Sequence, residues 1–323
     1  MASIASPSAE TWPALPLEAW RETRDTLHLW TQIVGKVRVA LAPWINHSWQ
    51  SALYVTARGL TTSVMPHGAD ALQMDFDFLA HQLVLQSSAG RAYRLALRSR
   101  TVADFHAEVG AALEAVGAPV RLHGVPNELP DAIPFAEDRV HGTYDPVHAE
   151  RFWRVLVAAE RVCQQHRSAF LGKTSPVHFF WGSFDLAVTR FSGRPAPPHP
   201  GGVPNLPDAV AREAYSHEVF SAGFWPGGAG WEEPVFYAYA YPEPEGFREG
   251  PVEPEAAAYN ARLGEFVLPY EAVRRARDPE ATLLRFLDSA YAAAADRGGW
   301  DRAALECEPG RPGVPRPVPG PEG

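Results

Sequence analysis

The apolar positions of this chain change period several times, and each change marks an element. Over residues 16–34, "PLEAWRETRDTLHLWTQIV", Leu17, Trp20, Leu27, Trp30, Ile33 and Val34 recur at near-helical spacing, which predicts an amphipathic helix. The following stretches alternate instead. "ALYVTARGLTTSVMP" (52–66) is rich in β-branched residues, and in 71–99 Leu72, Met74, Phe76 and Phe78 alternate with Gln73, Asp75 and Asp77 before a Gly-containing turn and Tyr93, Leu95 and Leu97. This predicts an antiparallel meander with one wet face. In 101–119 the period returns to helical: Thr101 and Asp104 stand in capping-box-like spacing, Val102, Phe105, Val109, Leu113 and Val116 follow one face, and Gly117 and Pro119 form the stop. "PVRLHG" (119–124) reads as a last short strand, and 125–146 as a Pro-rich connection.

The same order then recurs. Asp145 at N-cap and Pro146 at the first helical position open a long helix carrying Phe152, Val155, Leu156, Ala159, Val162 and Cys163, with Gly172 as its stop. Strand-like runs follow at 176–191, 214–224 and 234–241, and 278–299 is a helix with a Pro start and a Gly stop. The expected fold class is α+β: two tandem helix–antiparallel sheet–helix units, 11–125 and 146–305, joined through 126–145 and packed as one globule.

Two stretches hint at an internal duplication. "IVGKVRVALAPWINHSWQSALYVTARG" (33–59) and "FLGKTSPVHFFWGSFDLAVTRFSG" (170–193) each carry apolar-apolar-Gly-Lys, a His close before a Trp, and an apolar-Val-Thr run with an Arg. Residues 1–10 and the Pro- and Gly-rich tail 306–323 are expected to be disordered, because they offer too little apolar surface to offset the entropy of ordering.

Composition narrows the function. With 46% hydrophobic residues over 323, the chain can bury a large core, and its net charge of −9 without a basic stripe argues against nucleic acid and anionic membranes as partners. Two cysteines, Cys163 and Cys307, make neither a disulfide framework nor a four-Cys zinc site. With no leader pattern and no run of 18 apolar residues, the expected location is the cytoplasm.

Lys36 and Lys173 are the only lysines beside 27 arginines, which singles them out, since an ammonium differs from a guanidinium where a tight pocket or a tunable pKa matters. The Gly172-Lys173-Thr174-Ser175 run is not a phosphate loop. Arg167 occupies its first glycine position, a helix precedes it and a strand follows, the reverse of the order that places backbone N–H groups around a phosphate.

Two readings of the aromatic strands carry chemistry. In the first, Tyr237, Tyr239 and Tyr241 form a row of phenols opposite Phe236, Ala238 and Ala240, and with Trp181, Phe224, Trp225 and Trp231 they line a small-molecule pocket. Its ligand-binding candidates are Lys36, Arg58, Trp181, Arg190, Trp225 and Tyr239, the cations favouring an anionic ligand. Its catalytic candidates are Lys173, His178, His217 and Glu218, with histidine supplying acid–base chemistry. "FWPGGAGWEEP" (224–234) is the candidate lid, and 194–210 an excursion over the site mouth or a plain surface loop.

In the second reading His178, His217 and Asp185 hold a divalent metal, the two-His, one-carboxylate set of non-haem iron. On a regular strand His178 and Asp185 face opposite ways, so that reading needs a bulge at Gly182. The competing class is a non-catalytic binding or scaffold protein in which the aromatics are core.

"WTQIVGKVRVALAP", "LYVTARGLTTS", "SPVHFFWGSFDLAVTRFSG", "YSHEVFSAGFWPGG" and "FYAYAYPEPEG" resemble the signature blocks of a bacterial family, frequent in actinobacteria, known only as a domain of unknown function. The resemblance covers about 11–305. It implies a bacterial cytosolic protein and brings no activity or catalytic residue with it.

Overall fold

A computed structural model of the protein describes residues 10–316. Its elements run α1 (Arg21–Leu41), β1 (Tyr54–Val55), β2 (Gly59–Thr61), β3 (Met65–His67), β4 (Asp70–Asp77), β5 (Gln82–Ser87), β6 (Ala92–Ala96), α2 (Val102–Ala115) and α3 (Pro146–Ser168). Then come β7 (His178–Phe180), β8 (Asp185–Pro195), α4 (Asp208–Ala214), β9 (His217–Trp225), β10 (Val235–Tyr241), β11 (Ala258–Asn260), β12 (Glu265–Pro269), α5 (Tyr270–Arg274), α6 (Pro279–Arg297) and α7 (Arg302–Leu305). The fold is α+β, with two six-stranded antiparallel sheets. The first has the order β1-β2-β4-β5-β6 with β3 also on β4, the second β11-β12-β10-β9-β8-β7.

Local signals account for the helix starts. Thr101 accepts from the Asp104 N–H, Asp145 from the Val147 and His148 N–H groups, and Asp278 from the Ala281 N–H, so three helices begin on a side-chain cap. The meander also follows its pattern, since Leu72, Met74, Phe76 and Phe78 are buried beneath a half-exposed Gln73, Asp75 and Asp77.

α1 departs from expectation. It does not stop near Gly35 but continues to Leu41, and it is buried on nearly all sides from Thr23 to Arg38. Trp30 stacks on Phe105 of α2 at 4.4 Å, while the polar positions of α1 are satisfied by loops: Gln32 and Asn127 exchange two hydrogen bonds (3.0 and 2.8 Å), and His28 Nε2 meets the Gly182 carbonyl at 2.8 Å. Gly35 is interior because Trp181 lies against the helix there; a Cβ would stand 2.2 Å from the indole Nε1. Gly172-Lys173, in contrast, lies beyond the end of α3 at Ser168, four residues before the expected stop. The two Gly-Lys pairs thus occupy different structural positions and give no support to a duplication.

Further differences concern the second half. The run 176–191 is not one strand but a hairpin: β7 and β8 are joined by a turn over 181–184 in which Phe184 takes a φ of 62°. Residues 119–124 form no strand, 208–214 form α4, and β11 and β12 extend the second sheet beyond the three runs read from sequence. The sheets meet where Leu53 and Phe179 exchange backbone hydrogen bonds of 2.9 and 2.8 Å, next to β1 and within β7.

The disorder expected for 1–10 and 306–323 falls mostly outside the described residues. Inside them, Glu306 bridges to Phe170 and Arg316 donates to the Ser168 carbonyl. Among the described residues no helix is long and apolar enough to cross a membrane.

Candidate functional site

The second sheet has two unlike faces. Leu186, Val188, Phe220, Ala222, Phe224, Phe236 and Ala238 are buried in the main core, on the side where α3 and α6 contact the sheet. Strand alternation turns Asp185, Ala187, Thr189, Phe191, Val219, Ser221, Tyr237 and Tyr239 the other way. Among the described residues no long helix lies flat on that face. The second half of α1, the 46–51 turn, the 121–128 loop and the 203–215 segment with α4 arch over it and border a half-open cavity of about 1080 Å³.

The floor is a polar network set among aromatics. Tyr237 and Ser183 both donate to the Asp185 carboxyl, Tyr215 and Tyr239 share a hydroxyl hydrogen bond of 2.8 Å, and Thr189 and Ser221 share one of 3.0 Å. Burial pushes the Asp185 carboxyl above the usual range, against the pull of its two donors. Glu128, held at a φ of 62°, lays its carboxyl where a Cβ on Gly182 would be 1.9 Å from Oε1. Burial and the Asp185 charge raise it to about 7. Glu265 on β12 shares the face of Tyr237 and Tyr239, and the same two causes raise it to about 8.

The loop that delivers Glu128 is pinned at both ends of its short span. Asn127 holds Gln32 of α1, and the Glu128 N–H donates to the Pro204 carbonyl at 2.8 Å, tying the two covering segments together. Lys36 enters from α1 and is 6% exposed. Its Nζ donates to Asn127 Oδ1 and stands 5.9 Å from the Phe135 ring and 5.7 Å from the Trp181 ring. Desolvation lowers it to about 8. The Trp181 indole is itself fixed by donating to the Ser51 carbonyl at 2.7 Å.

At the rim, His47 and Ser48 are consecutive left-handed residues, with φ of 61° and 57°, a conformation that costs free energy and is held by its surroundings. His47 Nδ1–H donates to the Glu213 and Ala214 carbonyls at 3.1 Å, which leaves Nε2 to accept from Lys173 Nζ at 2.5 Å. The ammonium also lies 4.8 Å from the Phe191 ring and 5.3 Å from Trp49. Burial, with the neighbouring lysine second, lowers His47, and burial lowers Lys173.

Of the residues expected at a ligand site, Lys36, Trp181 and Tyr239 line the cavity, and Lys173 touches it through His47. Arg58 does not: it pairs with Asp77 at 2.7 Å beside a separate cleft of about 550 Å³ on the first sheet. Arg190 is on the opposite face, 4.2 Å from the Tyr291 ring and donating to the His166 carbonyl. Trp225 ends β9 opposite Val235, away from the cavity, and Glu218 is ion-paired with Arg194 at 2.7 Å. The 224–234 loop lies off the cavity as well, with Gly228 against Arg24. Of the two loops, it is the 194–210 excursion that reaches the cavity, through residues 203–210.

The hairpin changes the metal question without assembling a site. Because His178 pairs with Ala187 and Phe180 with Asp185, His178 and Asp185 share a face, contrary to the opposite facing that an unbroken strand implies. Yet His178 is fully enclosed by the rings of Trp49, Tyr54 and Phe180, its two nitrogens are without hydrogen-bond partners, and burial takes it down to about 3. His217 instead bonds Ser216 Oγ at 3.0 Å and packs edge-on to His47. Among the described residues no three His, Cys, Asp or Glu side chains are grouped to hold a metal ion.

Tyr237 was expected here as part of the phenol row, whereas His47, Asn127, Glu128, Ser183 and Tyr215, which form the rest of the site, were not among the sequence candidates. His47 stood out only as the His before Trp49 in the suspected repeat, and Glu128 sits in a Pro-rich connection with nothing periodic around it.

The class so defined is an α+β protein with a half-open, aromatic, carboxyl-floored cavity on one sheet face. The chain belongs to a family of unknown function, DUF5996, whose model matches residues 12–307. No curated protein and no solved structure matches it.

Proposed function

We propose that the cavity binds a small organic molecule and that Glu128, with the Asp185–Tyr237 pair, moves protons on it. The observation that carries this reading is the juxtaposition of a carboxyl titrating near neutrality with a second, hydrogen-bonded carboxyl in an aromatic-lined cavity. A carboxyl held near the working pH both gives and takes a proton readily, which is the requirement for a general acid–base. Acid–base work therefore moves from His178 and His217 to Glu128.

The ligand preference also shifts. Arg58 and Arg190, two of the three cations expected to favour an anion, stand elsewhere. The floor presents carboxyls and hydroxyls, so it suits an apolar or aromatic body carrying hydroxyl or amine donors, with the ring against Trp181 and Phe180.

Thermal-shift measurements with benzyl alcohol, benzylamine and benzoate test this. The first two are expected to raise the unfolding midpoint progressively with concentration, because a ligand that binds only the folded state stabilises it, and Ala214→Trp, which fills the cavity from α4, is expected to abolish the effect. Stabilisation by benzoate alone, or by none of the three, refutes the reading.

A further inference from the structure

We propose that Lys36 is an amine nucleophile that forms a Schiff base with an aldehyde or ketone held in the cavity. The inference rests on the cavity being a ligand site and names the class of ligand.

Lys36 is one of two lysines in a chain with 27 arginines. For charge or hydrogen bonding at this place a guanidinium would serve; only a primary amine can become a neutral nucleophile. The side chain is 6% exposed, lines the cavity, and has no ion-pair partner among the described residues. Its contacts are Asn127 Oδ1 and two aromatic faces. Burying an ammonium this way without a carboxylate favours the neutral form. At pH 8 about half of such side chains are neutral when the pKa is lowered to about 8, against roughly three in a thousand at the ordinary 10.5.

Glu128 lines the same cavity one residue beyond Asn127 and forms no ion pair with Lys36, so the amine and the carboxyl both border the space a carbonyl compound would occupy. In the first step neutral Nζ attacks the carbonyl carbon, a C–N bond forms, and the C=O π electrons move to oxygen, which takes the Glu128 proton. The resulting carbinolamine loses a nitrogen proton to the Glu128 carboxylate. In the second step the nitrogen lone pair forms C=N as the C–O bond breaks, and the hydroxyl leaves as water with that proton. That step leaves the protonated imine beside a Glu128 carboxylate; when the carboxylate takes back the nitrogen proton the neutral imine results, so the balance is carbonyl plus amine to imine plus water, with no oxidant or reductant required. Once protonated, the iminium carries the charge the ammonium carried, between the same Phe135 and Trp181 faces, where cation–π attraction favours it.

The test is reductive trapping of the full chain with benzaldehyde and sodium cyanoborohydride at pH 8, followed by peptide mapping. The expected result is one benzyl group on Lys36, introduced several-fold faster than on Lys173, which does not line the cavity and whose ammonium is held by His47. Lys173→Arg is expected to leave that labelling intact, Lys36→Arg to remove it, and Glu128→Gln to slow it. Benzyl alcohol, which has no carbonyl, is expected to protect Lys36 in the wild-type protein, a readout that needs no variant to fold. Labelling at equal rates on both lysines, or at Lys173 alone, overturns the inference. If benzyl alcohol still raises the unfolding midpoint in that case, the ligand site survives and only the Schiff base fails; if it does not, both fail.

Discussion

The two faces of the sheet formed by β8, β9 and β10 bury polar groups in opposite ways. On the face turned to α3 and α6, Arg190 is stacked on Tyr291 and bonded to the His166 carbonyl, and His166 Nδ1 meets Asp288 at 2.7 Å. One residue along the same strands, the cavity face buries Asp185 with donors that are neutral hydroxyls, beside Glu128 and across from Lys36, none of them ion-paired among the described residues. The difference lies in what covers each face. Regular helices bring fixed partners against the sheet, a backbone carbonyl and an aromatic ring for Arg190 and a carboxylate for His166, whereas arching loops leave space, and the groups facing that space meet a low dielectric without a counter-charge. Burial shifts groups on both faces toward neutrality, but only on the cavity face do they border open space.

The largest effect that separates the faces is packing. Phe220 is fully buried on the helix face, within 6.0 Å of the His166 ring and 5.6 Å of Tyr291. Phe220→Ala is expected to cost about 3–5 kcal/mol in urea unfolding. On the cavity face Tyr239→Phe, which removes one hydroxyl bonded to Tyr215, is expected to cost about 1 kcal/mol. Equal losses would erase the distinction.

Next comes pH. Glu128 and Glu265 have folded pKa values of about 7 and 8, above the ordinary 4.5, so between about pH 4.5 and 8 these carboxyls bind more protons folded than unfolded and their contribution to stability falls as pH rises. His178 and His166 are lowered to about 3 and 4, so these rings bind fewer protons folded from there to 6.5 and their contribution rises with pH, opposing the carboxyls below pH 6.5 and leaving the carboxyl loss alone above it. Glu128→Gln is therefore expected to raise the unfolding free energy by about 1–3 kcal/mol at pH 8 and to change little at pH 4. An equal gain at both pH values would assign the effect to packing.

The smallest expected effect is at the rim. Lys173→Gln removes an exposed ammonium from His47 and from two ring faces, at a cost of under about 1 kcal/mol. The lysine charge helps to hold His47 down, so its pKa is expected to rise in an NMR titration of the ring. No movement would mean that burial alone sets it.

Much of this architecture was legible where a signal is local. Thr101, Asp145 and Asp278 announce their helices because a cap needs only residues within one turn, and Leu72 to Phe78 announce a half-buried strand because period two is written in the chain. The length of α1 was not legible. Gly35 has the look of a stop, and what makes it an interior residue is Trp181, nearly 150 positions away in sequence. The hairpin at 181–184 was hidden in a run apolar on both sides, where alternation gives no warning of a reversal. Of the site, the two lysines and the phenol row stood out by composition and period, whereas Glu128 and His47 had neither.

The sequence by itself determined the α+β class, the capped helices, the antiparallel meander and the rarity of lysine, because each follows from propensity, periodicity or count. Tertiary structure alone decided which basic residues face the cavity and which carboxyls lose their water. Those outcomes depend on which distant loop closes over which sheet face, and the free energy of a charge depends on everything packed around it.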